Sequence, residues 1–179
     1  MANRQSLKDL QSRLAERLAA AKSASVTASW LAVEAGGQKF LVPLVQAGEI
    51  FSWTHLQKVP YTKHWFAGVA SLRGGLYGVA DLALLGGTIS DVDVPRAMDR
   101  MTSETRLVSL HVAFGVNAVL WIDRLMGLRH PAMFLRLAED LPGAPSWFSR
   151  RLVESDGSVW QEIDLQALVE DNEFLSIAA

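Results

Sequence analysis

Leucines at positions 7, 10, 14 and 18 advance by three, four and four residues, with Ala15 widening the apolar face and Gln11 interrupting it. That spacing keeps one side of a 3.6-residue repeat apolar, so it predicts an amphipathic helix over residues 4–22 and a linker over 23–27. From Trp30 the period changes. WLAVE, a Gly36-Gly37 pair and KFLVPL read as two strands joined by a tight hairpin turn. Alternating or short apolar runs predict further strands at 66–72, 76–80, 107–114, 118–123, 151–154 and 159–163. Many short strands punctuated by glycine turns point to a mainly β fold of barrel or sandwich type.

Two stretches break the pattern. Residues 86–105 are mostly polar, contain Pro95 and carry no sustained period, so they read as a mobile surface connection; LPGAPSW at 141–147 reads as a second irregular surface segment. Sliding the chain by 83 residues lays LRGGLYGVADLALL (72–85) on SDGSVWQEIDLQAL (155–168), pairing Gly74 with Gly157, Tyr77 with Trp160 and Asp81 with Asp164. Each copy reads as a glycine turn, a strand with an inward aromatic, and an aspartate that caps a short helix carrying two leucines. The repeat predicts two similar lobes, each ending on a short helix.

Composition narrows the chemistry. The 179 residues are 50% hydrophobic and 20% charged, which suits one globular domain rather than a disordered chain. Seventeen basic and nineteen acidic residues give a formal charge of −2, and there is no basic block to track phosphates, so nucleic acid is not an expected partner. Charged residues scattered through the first twenty leave no apolar core for a signal peptide, and the apolar run 108–122 is too short and polar-interrupted to span a bilayer. A cytoplasmic protein without direct membrane insertion is expected. The absence of cysteine excludes disulfides, thiolate metal sites and thiol nucleophiles. Histidines 55, 64, 111 and 130 have no metal-ligand spacing, and no phosphate loop, dinucleotide turn or nucleophile elbow occurs. No catalytic residue, metal or cofactor is assigned.

One charge is placed unusually. Arg73 stands among the apolar residues of FAGVASLRGGL (66–76) and is followed by two glycines. A guanidinium there can make planar hydrogen bonds to a partner while its stem lies on the surface; an internal salt bridge or turn cap is the other reading, and the sequence leaves both open. Of six tryptophans, Trp53 and Trp65 flank a polar stretch and are candidates for the rim of a recognition surface.

The string KFLVPLVQAGEIF, then KVP, then GVASLRGGLYGVADL, resembles the CheW-like adaptors of bacterial chemosensory systems, and WIDRLMGL at 121–128 is similar to a later strand of that family. The likeness covers residues 27–172, leaving 1–26 as an N-terminal helical extension and linker and 173–179 as a tail. Ser71, Ala47-Gly48 and Gly78 depart from the family pattern; with the leading helix and the tryptophans, they look more like the pilus-associated, PilI-type branch.

The resemblance implies two SH3-like five-stranded β-barrels packed together and an adaptor without catalysis. Such a protein bridges the cytoplasmic tip of a methyl-accepting chemoreceptor and the regulatory domain of a CheA-like histidine kinase, recruited to membrane receptor arrays and here serving twitching motility. It implies that Val69, Leu72 and Arg73 face the receptor and that Glu49 and Ile50 face the kinase. The alternatives are a small β-barrel enzyme or ligand-binding module using the cleft between the lobes, recognisable by a deep pocket with converging titratable groups, and a scaffold that dimerises through the leucine stripe.

Overall fold

The computed structural model describes residues 29–88 and 99–179. The helix expected over 4–22 and the middle of the polar connection lie outside the described residues. The strands are β1 (Trp30–Ala35), β2 (Gln38–Pro43), β3 (Ala47–Ser52), β4 (Phe66–Leu72), β5 (Gly75–Asp81), β6 (Arg106–Leu110), β7 (Ala118–Ile122), β8 (Arg124–Arg129), β9 (Phe134–Leu137), β10 (Phe148–Glu154) and β11 (Val159–Ile163). They form a six-stranded sheet in the order β8-β1-β2-β11-β10-β9 and a five-stranded sheet in the order β3-β6-β7-β5-β4.

The two sheets share one plan. In each, antiparallel strands on either side are joined by a single parallel pair, β2 with β11 in one and β7 with β5 in the other. Position for position, β8, β1, β2, β11 and β10 correspond to β3, β6, β7, β5 and β4, and β9 is an added edge strand. The chain therefore crosses between lobes twice, after β2 and after β7, so that the N-terminal hairpin fills in one lobe the place that β6–β7 fills in the other.

The expected repeat is present in detail. Asp81 ends β5 and accepts the backbone N–H groups of Ala83 and Leu84 at the start of the helix Leu82–Leu85. Asp164 follows β11 and accepts those of Gln166 and Ala167 at the start of the helix Leu165–Glu170. Carboxylate capping of orphan amide donors is why both short helices start where they do.

The central strands are apolar on both faces because both faces are covered. Along β1, Leu31, Val33 and Ala35 join the core between the lobes, while Trp30 and Ala32 join the six-stranded lobe's own core with Leu41, Leu152 and Trp160. Along β7, Ala118, Leu120 and Ile122 enter the inter-lobe core, while Val119 and Trp121 enter the five-stranded lobe's core with Ala70, Leu72, Val79 and Leu107. A period of two with apolar residues in both phases is what burial on two sides demands.

Several expectations need correcting. The strand placed at 107–114 ends at Leu110; His111 then accepts the N–H of Ala113 through Nδ1 and starts a one-turn 3₁₀ helix, Val112–Phe114. The segment 141–147 is irregular, but its Trp147 is buried in the inter-lobe core. Trp65 is buried, and Trp53 is half-buried and packs on Trp121 with ring centroids 4.6 Å apart, so both serve the core first. Residues 173–179 do not hang free: Phe174 is buried against Trp65, and Ala179 donates its N–H to the Tyr61 carbonyl.

One guanidinium anchors the far end of the polar connection. Arg100 donates to both carboxylate oxygens of Asp81 at 2.9 and 2.8 Å, lies 3.5 Å from Asp123, and covers the Trp121 ring. Asp123 stands at the second crossing and accepts the N–H of Gly36 in the β1–β2 turn at 2.7 Å, so the network ties the two lobes together. Burial pushes both carboxyls above the usual carboxylate range, and Arg100 pulls each back down. A carboxyl with a raised value favours folding most when protonated; that contribution is present in acid and is lost as the pH rises through the raised value. Arg100→Gln removes the opposing cation and should cost about 3 kcal/mol at pH 7. Chemical denaturation at several pH values should show the deficit shrinking as the pH falls through the raised range in which the two aspartates protonate; a deficit independent of pH would show that the network carries no such charge balance.

Candidate functional site

Arg73 and Gly74 form the two-residue turn between β4 and β5, whose flanking pair is Leu72 and Gly75. Both turn residues have positive φ, 45° for Arg73 and 82° for Gly74. Such a turn suits the right-handed twist of the strands but favours asparagine or glycine at its first position. An L-residue with a Cβ in that region carries a steric cost of about 1–2 kcal/mol. Arg73 is one of two non-glycine residues among those described with positive φ, the other being Tyr61.

The Arg73 side chain has an internal partner and remains open to solvent. Its Nη1 lies 2.6 Å from Oε2 of Glu49, and its guanidinium stacks over the Phe51 ring at 5.7 Å. The side chains of Arg73 and Glu49 are nevertheless 74% and 56% exposed. The contact reports on the shape of the lobe as well. β3 and β4 are opposite edges of the five-stranded sheet, yet Glu49 on β3 reaches the turn that ends β4, and Phe51 meets Tyr77 of β5 at 6.3 Å. The sheet is rolled almost into a barrel, and these contacts bridge its seam.

Glu49 is presented by a bulge. The pairing of β3 with β6 slips between Ala47 and Ile50, and the N–H of Glu49 donates to Ser109 Oγ at 2.7 Å instead of to a ladder carbonyl. The slip needs glycine: a Cβ on Gly48 would lie 2.4 Å from Ser109 Oγ. Ala47-Gly48 thus has a local physical reason. Gly78 has one too, since a Cβ there would sit 3.1 Å from the Phe66 ring.

Around the seam lies a groove of about 620 Å³ lined by Glu49, Phe51, Leu72, Arg73, Tyr77, His111, Val112 and Val116, among others. The expected site residues divide. Glu49 and Arg73, assigned to different faces in the sequence, are brought into contact. Ile50 is 43% exposed on the edge strand β3 but does not line this groove. Leu72 points into the core of the five-stranded lobe and is only 6% exposed, so it supports the turn from beneath and offers little surface. Val69 is half-buried and its backbone is taken: it exchanges two hydrogen bonds with Gln57, a close approach that Gly68 permits because a Cβ there would meet the Gln57 carbonyl oxygen at 2.5 Å. The sequence reading missed the contribution of Phe51, Tyr77 and the 112–116 turn. Phe51 alone offered a local signal, and the bulge at Gly48 breaks the alternation around it.

Glu49 and Arg73 are solvent-bathed and the His111 Nδ1 is occupied by a helix cap, so these groups form an open, solvated surface rather than a desolvated acid–base pair. No group of three or more His, Cys, Asp or Glu able to hold a metal occurs among the described residues, and no helix among them is long and apolar enough to cross a membrane.

These features define a two-lobed β scaffold with an exposed groove. Residues 29–173 match the model of the CheW-like domain, and the chain belongs to that family. It is 31% identical over 119 residues to Protein PilI of Pseudomonas aeruginosa, an alignment covering 66% of this chain and 61% of that relative, which supports the PilI-type branch. The chain thus spans about three-fifths of that relative's length. The fold is also that of the scaffolding protein TtCheW from Thermoanaerobacter tengcongensis, with a TM-score of 0.65 at 15% identity, covering 82% of this chain and 90% of that one.

The turn geometry makes a prediction that separates a structural from a binding role for Arg73. Arg73→Asn relieves the strained φ and forfeits one exposed ion pair, two effects of similar size, so stability should stay within about 1 kcal/mol of the unmodified chain in urea unfolding. A loss of more than about 2 kcal/mol would mean that the arginine holds the fold together.

Proposed function

We propose that this chain is a non-catalytic adaptor that couples a methyl-accepting chemoreceptor to a CheA-like histidine kinase, in a chemosensory system controlling type IV pilus twitching motility. The observation that carries the reading is the exposed Arg73–Glu49 contact, held at a strained turn beside a groove of mixed polar and apolar lining. Backbone strain at an exposed charged residue is retained where the side chain has a use beyond the fold. The family match and the likeness to PilI support the same assignment.

A receptor tip is a helical hairpin, and the groove would take one helix, with apolar side chains against Phe51, Tyr77 and Val112 and a carboxylate on Arg73. The kinase regulatory domain, of the same fold, would meet edge strand β3 through Glu49 and Ile50. Their direct contact gives the two sites a way to communicate. An exposed ion pair is worth about 0–1 kcal/mol, so exchanging Glu49 for a receptor carboxylate on Arg73 is nearly balanced and releases Glu49 to the kinase. A coupling of about 1 kcal/mol would change kinase affinity roughly fivefold.

Arg73→Glu should weaken binding of a receptor-tip fragment by about tenfold or more while the melting temperature holds. Glu49→Lys should weaken the kinase regulatory domain and leave the receptor fragment less affected. Isothermal titration with the two purified partners checks both; absence of binding to either by the unmodified chain would refute the reading.

A further inference from the structure

The Arg73 groove does not end at the barrel seam. Val116 and Asn117 line it and also line a smaller cleft of about 170 Å³, whose other walls include Trp65, Phe66, Gly78, Phe174, Leu175 and Ile177. The two depressions adjoin at Val116 and Asn117. Gly78 keeps the cleft floor free of a side chain, its N–H bonding the Asn117 carbonyl at 2.9 Å.

The C-terminal residues fix the far wall. Asp171 accepts the N–H groups of Glu173 and Phe174 to start the helix Asn172–Leu175. Phe174 stacks on Trp65 with ring centroids 5.7 Å apart and planes inclined by 16°. Lys63 pairs with Glu173 at 2.8 Å, and the Ile177 carbonyl accepts the Lys63 N–H. The segment is thus anchored by one buried ring and a short antiparallel bridge of Ala178 with Thr62. Between these anchors Leu175 and Ile177 are left 55% and 41% exposed beside the cleft, and Val112 is 86% exposed where it joins the main groove. Anchored backbone with exposed aliphatic side chains on a concave surface is the arrangement of a docking wall.

We propose that the C-terminal segment 172–179 is the second wall of the docking groove, and that Leu175 and Ile177 select a partner helix carrying an apolar stripe with a carboxylate at its Arg73 end. The inference rests on the Arg73 groove being the receptor face, and it adds specificity residues about a hundred positions away in the chain. The occupant follows from the charges on the page. Both cations have an internal partner, but Arg73 at one end is 74% exposed and can exchange Glu49 for a partner carboxylate, while Lys63 at the other end is 21% exposed and held by Glu173, so a complementary helix is acidic at one end and apolar along the rest.

The test titrates a receptor-tip hairpin fragment into the full chain, into L175D/I177D and into R73E, with mass in solution and thermal melting recorded for each. Phe174 is untouched, so the segment keeps its anchor; L175A/I177A provides a milder variant should the aspartates disturb it. The expected result is binding about tenfold weaker for L175D/I177D, a smaller loss for L175A/I177A, and unchanged affinity for the kinase regulatory domain. Binding lost in R73E but unaltered in both C-terminal variants would overturn this inference and leave the proposed function standing. No binding by the unmodified chain would overturn the proposed function and this inference with it. A dimer that dissociates on substitution at 175 and 177 would show that a second copy occupies the wall, and would overturn the inference also.

Discussion

Strands β1, β2, β6 and β7 carry apolar side chains on both faces, and the second face is covered only when the other lobe is present. Leu31, Val33, Phe40, Val42, Val108, Leu110, Leu120 and Ile122 all meet in the inter-lobe core. Fully exposing eight such side chains would cost roughly 12–24 kcal/mol at 1.5–3 kcal/mol each, an upper bound that equals or exceeds the whole stability of an ordinary domain. Neither lobe is a free-standing barrel. The double crossing of the chain strengthens this dependence for the six-stranded lobe, whose β1–β2 hairpin is separated in sequence from β8–β11 by the whole of the five-stranded lobe. Asp123 and Gln46 reinforce the two crossings: Asp123 holds the Gly36 turn, and the Gln46 amide bonds both Asp164 and the N–H of Leu165.

That rigidity is what gives the groove a fixed shape. The rolled five-stranded sheet sets β3 against the β4–β5 turn, so the Glu49 to Arg73 distance is decided by the barrel rather than by either side chain. The exposed pair adds little energy by itself. Its value lies in being held on a surface whose backbone does not relax, with a bulge at Gly48 on one side and a positive-φ turn on the other. On the proposed reading, a partner that took Arg73 away from Glu49 would change a second surface without any large movement of the fold.

Much of this arrangement was legible in the residues. The Gly36-Gly37 hairpin, strands β4, β5, β7 and β11, and the two aspartate-capped helices follow from alternation, glycine turns and the repeat. Strand β3 was not, because AGEIFS is largely exposed and its alternation is broken by the bulge. RLMGLR conceals β8 in the same way, with Gly127 at φ 89° beside a slip in register, and FLRL is simply short. The Arg73–Glu49 contact joins residues 24 apart on opposite edges of a rolled sheet, and nothing local announces such closure. Arg100 escaped notice for a related reason: it belongs to a polar connection, and only the tertiary fold brings it to Asp81 and Asp123. Leu72 shows the opposite failure, since a motif position identifies a residue without saying which face of the strand it occupies.

The most direct test of the two-lobe account is native-state hydrogen exchange in low denaturant, following amides in β1 and β2 of one lobe and in β6 and β7 of the other. Lobes that share an indispensable core must open together, so these amides should converge on a single free energy equal to that of global unfolding. Exchange of β6 and β7 through an opening several kcal/mol below that of β1 and β2 would contradict the account, for it would mean that one lobe unfolds while the other stands.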